Sequence, residues 1–283
     1  MFETSDARKA GREAIQKSVS AGLWEKNLAF RAGLLGAIQA HEIMCHPVIG
    51  ELDAGRLDLS AQRRFHLEFG HAFARIFTDA LIQAMFTSRQ LESRLGVMGK
   101  VSGRFLLQLN VLDELGFSPQ GVSTPDYAGN PHLSHYAQFD ATLRQLGISA
   151  AQADAYVPSE IAEACRATFE QNYDDHAALT GVLAVAETAF TRFAGPWAKC
   201  VGANTQIDVS TGYHSIHVEK DGHFVDDDHS EDAWFVFQQA LTLERHADIS
   251  AKVTQWLDTW SAFFDQFLDR PATARVAENS LGN

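Results

Sequence analysis

The sequence has 283 residues, of which 46% are hydrophobic, and its formal net charge is −13. An acidic chain without a lysine- or arginine-rich run suits neither a phosphate backbone nor an anionic membrane surface, so we expect no nucleic-acid partner and no membrane partner. Three widely spaced cysteines, an N-terminus unlike a signal peptide and the lack of any run of eighteen apolar residues predict a cytoplasmic protein without disulfides.

The spacing of apolar residues predicts helices along nearly the whole chain, because these residues recur every three or four positions. Alternating β patterns are almost absent, and the best strand candidate, residues 201–212, is full of strand breakers. We expect one all-α domain of roughly eight to ten helices over residues 1–270 and a disordered tail at 271–283. The predicted helices cover residues 23–44, 61–86, 103–116, 132–148, 159–173 and 176–194, with a helix opening near 213 and one or two more within 232–268.

Three glutamates stand among apolar neighbours in these helices, where a charge is costly unless it is paired or bound to a metal. Glu187 lies in GVLAVAETAF, and Glu114 lies near the end of LLQLNVLDELG, beside Asp113. Glu68 and His71, in FHLEFGHAF, are three residues apart, so they share a helix face and can place an oxygen and a nitrogen on one metal. Each carboxylate could also be a solvated residue at the edge or end of a helix.

The densest group of histidines and aspartates is SIHVEKDGHFVDDDH, residues 215–229. His217 and Asp221 are four residues apart, and Asp226 and His229 are three apart, so each pair shares a face if the segment is helical. The stretch is either a solvated acidic turn or one part of a metal site.

Two common metal-binding patterns do not fit the chain. An EF-hand loop that started at Asp226 would have Glu231 at position six and Phe237 at position twelve, where glycine and glutamate are required. A ferritin-type bundle needs two Glu-x-x-His motifs, and the chain has only the one at Glu68 and His71.

A set of imidazoles and carboxylates without thiolates suits iron, manganese or zinc. A dinuclear site needs about six or seven such ligands, with carboxylates to neutralise the two cations and histidines to hold them. His135, in the predicted helix HLSHYAQF, brings the candidates to that number. The candidate metal ligands are Glu68, Glu114, His135, Glu187, His217, Asp221 and His229.

The order of these motifs resembles the heme-oxygenase-like diiron oxidases and oxygenases, the iron-containing redox enzyme branch of the fold shared with the TenA and PqqC families. The matching stretches, within residues 25–245, are FHLEFGHAF, LNVLDELG with HLSHYAQF, AVAETAF and YHSIHVEKDG…DDDH. The resemblance rests on the ordered set, since no single motif is specific to the family. It implies a single heme-oxygenase-like helical bundle.

The resemblance also assigns ligands, which fall on Glu114, His135, Glu187, His217 and Asp221. Glu68 matches an extra glutamate that some members have. The last histidine departs from the family pattern, because Phe224 and Val225 stand three and four residues after the aspartate. That ligand is His229 after an insertion, or His223, or the register shifts to Asp226 and His229; we expect His229.

By resemblance, the chain is expected to be a non-heme diiron oxidoreductase with two Fe(II)/Fe(III) ions as cofactors, O2 as co-substrate and activity that depends on Glu114 and Glu187. The implied reactions are N-oxygenation or oxidative C–C cleavage of a small amino-acid-like or fatty-acid-like metabolite in natural-product biosynthesis. An external electron donor and a homodimeric assembly are further expectations.

Other functions remain as alternatives. The displaced last histidine is compatible with a metal-free or mononuclear relative of these enzymes, either a hydrolase or a cofactor-independent oxidase. The His/Asp stretch at residues 215–229 is also compatible with a non-catalytic metal-binding protein. A TenA-type thiaminase needs a nucleophilic cysteine, but Cys45, Cys165 and Cys200 lie outside every matched motif. A true heme oxygenase with one proximal histidine would leave the carboxylate set without a purpose.

Overall fold

Helices form nearly all of the regular structure in residues 6–118, 128–217 and 226–268, the parts of the chain that the computed structural model describes. The prediction of an all-α protein is confirmed. The α-helices are α1 (Asp6–Ser18), α2 (Ala21–Ala40), α3 (Pro47–Asp53), α4 (Leu59–Phe69), α5 (Phe77–Thr87), α6 (Glu92–Glu114), α7 (His135–Gln145), α8 (Ala150–Asp154), α9 (Glu160–Glu170), α10 (His176–Asn204), α11 (Tyr213–Ile216), α12 (Asp226–Ala240) and α13 (His246–Asp265).

The other elements are short. Two-residue strands, β1 (Phe117–Ser118) and β2 (Ala128–Gly129), pair in antiparallel fashion. A π turn covers Gly70–Ala74, and short 3-10 turns cover Glu42–Cys45, Ser88–Leu91, Pro131–Leu133 and Leu243–Arg245. The strand candidate at 201–212 contains the end of α10, turns and bends instead. The tail predicted at 271–283 lies outside the described residues.

The long helix α10 is the centre of the bundle and packs against α3, α5, α12 and α13. By length and composition it could cross a membrane, but 83% of its most apolar window is buried inside the protein. The helix predicted for 176–194 continues through Pro196 to Asn204. A proline removes one backbone hydrogen bond from a helix, and we attribute the continuation to the burial of Trp197 and Val201 on the next turns.

The single helix predicted over residues 61–86 is two helices, so its continuity was wrong. α4 ends at Phe69, and the π turn Gly70–Ala74 separates it from α5. The ring of Phe139 lies against the backbone here, because a Cβ added at Gly70 would be 2.9 Å from it. A π turn adds a residue to one helical turn and therefore rotates the residues that follow.

The charged side chains of α1 fix the position of α12. Asp232, which is 1% exposed, accepts hydrogen bonds from Arg8 and Arg12, with Arg12 Nε 2.7 Å from Oδ1. Arg12 also contacts the carboxylate of Asp228, which lies one turn before Asp232 on α12, at 2.9 Å. These contacts hold the first half of α12 against α1.

Candidate metal centre

Four of the predicted ligands line one small cavity. Glu114 ends α6, His135 begins α7, Glu187 lies in the middle of α10 and His217 follows α11. The cavity has a volume of about 20 Å³, which is room for a single water molecule or an ion of similar size. The other lining residues are Phe73, Ala74, Phe77, Tyr136, Phe190 and Tyr213.

Glu114 and His135 meet because the chain turns sharply after α6. Gly116 has a φ of +82°, and a Cβ added there would lie 2.5 Å from the carbonyl oxygen of Asn130 and 2.7 Å from the backbone nitrogen of Ser134. The amide of Asn130 donates to the carbonyl of Gly116 at 3.1 Å, and Ser134 caps α7. As a result, Nδ1 of His135 lies 3.0 Å from Oε1 of Glu114.

His217 reaches the same cavity between aromatic rings. The centroid of its imidazole is 4.8 Å from Phe190, 4.8 Å from Tyr213 and 5.3 Å from His135. Phe190 follows Glu187 by three residues on α10, so the ring and the carboxylate share a helix face. Tyr213 lines the cavity as well.

A second pair of buried histidines attaches α11 to α4. Nε2 of His66 lies 3.3 Å from Nε2 of His214, and Nδ1 of His66 lies 2.7 Å from the carbonyl oxygen of Gln62. Since that carbonyl can only accept, Nδ1 of His66 carries a proton, its Nε2 accepts, and His214 donates. Burial lowers the pKa of His66 to about 4, so the ring is neutral at pH 7. The sequence analysis missed this pair, which holds the helix that precedes His217.

His229 lies just outside the cavity, against Asp113. Its Nε2 is 3.1 Å from Oδ2 of Asp113, and Nε2 of His135 is 3.8 Å from the same oxygen. Burial lowers the pKa of His135, but the carboxylates of Glu114 and Asp113 outweigh burial and raise it overall. The structure therefore brings Asp113, which was not predicted as a site residue, between two predicted ligands.

The structure does not bring Glu68 to the cavity. Its carboxylate, 2% exposed, accepts hydrogen bonds from Tyr156 and from the amide and hydroxyl of Ser159, the residue that caps α9. His71 also faces α9, where its Nε2 lies 3.1 Å from Glu163. Glu68 and His71 share a face as predicted, but that face contacts α9.

The remaining candidates fall in or beside the stretch between α11 and α12. Asp221 and the alternative ligand His223 lie outside the described residues. Asp226 opens α12, and its side chain lies outside the described part of the structure. Whether Asp221 is a ligand, and whether His223 or the register of Asp226 and His229 supplies the last one, stays a prediction from the sequence.

The donors around the cavity fit a metal ion by their chemistry. Two carboxylates and two imidazoles line it, and no lysine or arginine is among the residues described as lining it. Buried carboxylates require compensating positive charge, and these donor types suit iron, manganese or zinc. Within residues 6–118, 128–217 and 226–268, however, no three His, Cys, Asp or Glu side chains are grouped so that they could hold a metal. The described side chains alone therefore do not form a ready-made metal site, and a pair of ions would need further ligands and more room than this cavity offers.

Comparison with known proteins adds no assignment. No protein-family model matches the chain. A search of curated proteins finds no significant match. The resemblance to the heme-oxygenase-like diiron enzymes rests on the motifs alone.

Proposed function

We propose that the protein is a non-heme diiron oxidase or oxygenase that uses O2 to oxidise a small metabolite. The observation that supports this most is the meeting of Glu114, His135, Glu187 and His217 around one water-sized cavity. These residues come from four separate segments spread over more than a hundred positions, so their meeting is not a consequence of proximity in the sequence.

Within the proposed site, each side chain has a definite task. Glu114 and Glu187 would supply negative charge and oxygen ligands, while His135 and His217 would supply nitrogen ligands that add no charge. Further ligands would come from the stretch after His217, where Asp221 is the sequence-based candidate. Bound iron would supply the reducing electrons that O2 activation requires, with an external donor to restore them.

The aromatic wall of the cavity indicates where a substrate could sit. Phe73 and Phe190 line the polar cavity and also a second, apolar cavity of about 10 Å³. Trp256 and Trp260 also line that apolar cavity. On the outer side, Tyr136 is 39% exposed, so solvent and small molecules can approach there. We propose that the substrate enters past Tyr136 and places an apolar group against Phe73 and Phe190, which requires these rings to move apart because neither cavity has room for such a group.

Anaerobic titration of the chelator-treated protein with Fe(II), followed by mixing with O2, tests the proposal. The expected stoichiometry is near two irons per chain, and the visible absorbance should change on mixing with O2. Glu114→Gln and Glu187→Gln should each lose both responses, because the cavity loses a negative charge and an oxygen ligand. The matched control is Glu163→Gln. The carboxylate of Glu163 is 57% exposed and pairs with His71, which does not line the cavity. This variant should bind iron and react with O2 as wild type does.

Failure of wild-type protein to bind iron, or binding that survives both cavity substitutions, would contradict the diiron proposal. In that case the second candidate function gains support, namely a metal-free or mononuclear hydrolase or oxidase. The observation that favours this second function is the size of the cavity, about 20 Å³, which has room for one ion or water molecule and not for two ions. Turnover in a substrate screen that persists after exhaustive chelation would identify the metal-free case.

A further inference from the structure

One carboxylate oxygen faces two imidazoles next to the proposed metal site. Oδ2 of Asp113 lies 3.1 Å from Nε2 of His229 and 3.8 Å from Nε2 of His135. On the other side of the His135 ring, Nδ1 lies 3.0 Å from Oε1 of Glu114, a residue that lines the cavity. The ring of His135 thus lies between two neighbouring residues of α6, in close contact with Glu114 and attracted by the charge of Asp113 at a distance longer than a direct hydrogen bond.

The packing of α6 against α12 fixes this arrangement. Asn110, one turn before Asp113, donates to the backbone carbonyl of His229 at 3.4 Å. The amide oxygen of Asn110 in turn accepts a hydrogen bond from Arg8 at 2.7 Å, and Arg8 also bonds to Asp232, one turn after His229. The three contacts set the register of the two helices at the point where His229 meets Asp113.

We propose that Asp113 is a positioning residue of the metal site, which orients His135 so that Nδ1 faces the metal and Nε2 faces Asp113. Metal-binding histidines commonly donate their second ring N–H to a carboxylate, which fixes the ring and the tautomer. In this arrangement His229 belongs with Asp113 in the outer pair and does not bind the metal. The inference rests on the proposed function for the presence of a metal, and it goes further by naming the ligating nitrogen and removing His229 from the ligand set.

Nitrogen NMR of the zinc-loaded protein tests the orientation directly, because Zn(II) is diamagnetic. With ¹⁵N-labelled histidine, we expect Nδ1 of His135 to show the shift of a metal-bound nitrogen and Nε2 to keep its proton. Neither nitrogen of His229 should show a metal-bound shift. Asp113→Asn should weaken zinc binding about 10- to 100-fold, as loss of a supporting carboxylate does, and His229→Gln should keep the zinc stoichiometry of wild type. A metal-bound nitrogen on His229, or binding of His135 through Nε2, would overturn the inference.

Failure of the proposed function is distinguished by a metal-free measurement. If wild-type protein binds neither zinc nor iron, the proposed function and the assignment of Nδ1 both fail. The interaction between Asp113 and His135 is then judged by a double-mutant cycle on the unfolding equilibrium, with Asp113→Asn and His135→Gln. We expect the two effects to be non-additive by about tenfold in the equilibrium constant. The control cycle joins Asp113→Asn with His41→Gln, a distant histidine that pairs with Asp258, and should be additive. Additive effects in the first cycle would remove Asp113 as a positioning residue.

Discussion

The buried carboxylate of Glu68 accepts hydrogen bonds from both the backbone amide and the hydroxyl of Ser159, at 3.1 and 2.8 Å. Ser159 is the N-cap of α9, so the negative charge lies at the positive end of that helix, where it is favoured. The hydroxyl of Tyr156 donates to the other carboxylate oxygen. Glu68 therefore joins α4 to α9, and this role accounts for its burial without a metal.

Replacement of Glu68 by alanine should destabilise the fold and leave metal binding intact. Loss of the acceptor leaves the half-buried donors of Tyr156 and Ser159 without their carboxylate partner, at a cost of about 1–2 kcal/mol in the free energy of unfolding. Urea unfolding measures that cost, and metal analysis of the folded variant measures the second expectation. Loss of iron with little loss of stability would instead restore Glu68 to the ligand set.

Gly116→Ala should disturb both stability and the proposed site. The positive φ of +82° disfavours alanine, and the added Cβ would meet the backbone at Asn130 and Ser134, so the turn that brings His135 to Glu114 must shift. We expect a cost of more than about 1 kcal/mol and a fall in metal affinity. Gly33→Ala, in the interior of α2 with open space around it, is the control and should stabilise by about 0.5–1 kcal/mol. Equal effects of the two substitutions would contradict the role of the turn.

Asp232→Asn should be among the most destabilising changes of charge in this protein. The substitution removes the carboxylate that Arg8 and Arg12 share, and because Arg8 keeps Asn110 and Arg12 keeps Asp228, the cost should be about 1.5–3 kcal/mol, the range for hydrogen bonds to charged groups. Asp53→Asn removes an exposed pair with Lys199 and should change the free energy of unfolding by less than about 1 kcal/mol. Thermal unfolding of the two variants beside wild type makes the comparison, and a small effect at Asp232 would show that the arginines do not hold α12.

Stability should fall between pH 6.5 and pH 4 because of His176. Burial lowers the pKa of this histidine from 6.5 to about 4, and its Nδ1 lies 3.1 Å from the hydroxyl of Thr87. Since the folded-state pKa is below that of the unfolded chain, the unfolded chain binds the proton first, and the stabilisation present above pH 6.5 is lost as the pH falls. The loss should approach roughly 3 kcal/mol by pH 4. In His176→Gln the unfolding free energy should depend less on pH over this range; an unchanged slope would show that His176 does not titrate as expected.

The sequence predicts the helices and four of the site residues because both follow from local rules. Periodic apolar spacing identifies the long helices, and a glutamate such as Glu187 among apolar neighbours is visible as an exception to that pattern. Four residues from the ordered set of motifs, Glu114, His135, Glu187 and His217, line the same cavity, as the motif order predicts.

What the sequence could not predict depends on contacts between distant segments. The spacing of Glu68 and His71 gives them a common face, but only the packing of α9 shows that the face contacts Ser159 and Glu163. Whether His229 lies in the cavity or behind Asp113 depends on the register of α12 against α6. The π turn at Gly70–Ala74 does not interrupt the spacing of apolar residues over 61–86, so the sequence predicts one continuous helix there.

The place of Asp113 and Glu114 in the last turn of α6 has a thermodynamic consequence. The C-terminal end of a helix is the negative pole of its dipole, so each carboxylate there opposes the helix by a few tenths to about 1 kcal/mol. A cation bound beside Glu114 would cancel that repulsion, and folding and metal supply would become linked equilibria. At a free metal concentration one hundred times the dissociation constant, the folded state would gain about 3 kcal/mol. The free energy of unfolding would then rise with the concentration of the bound metal, before any substrate is encountered.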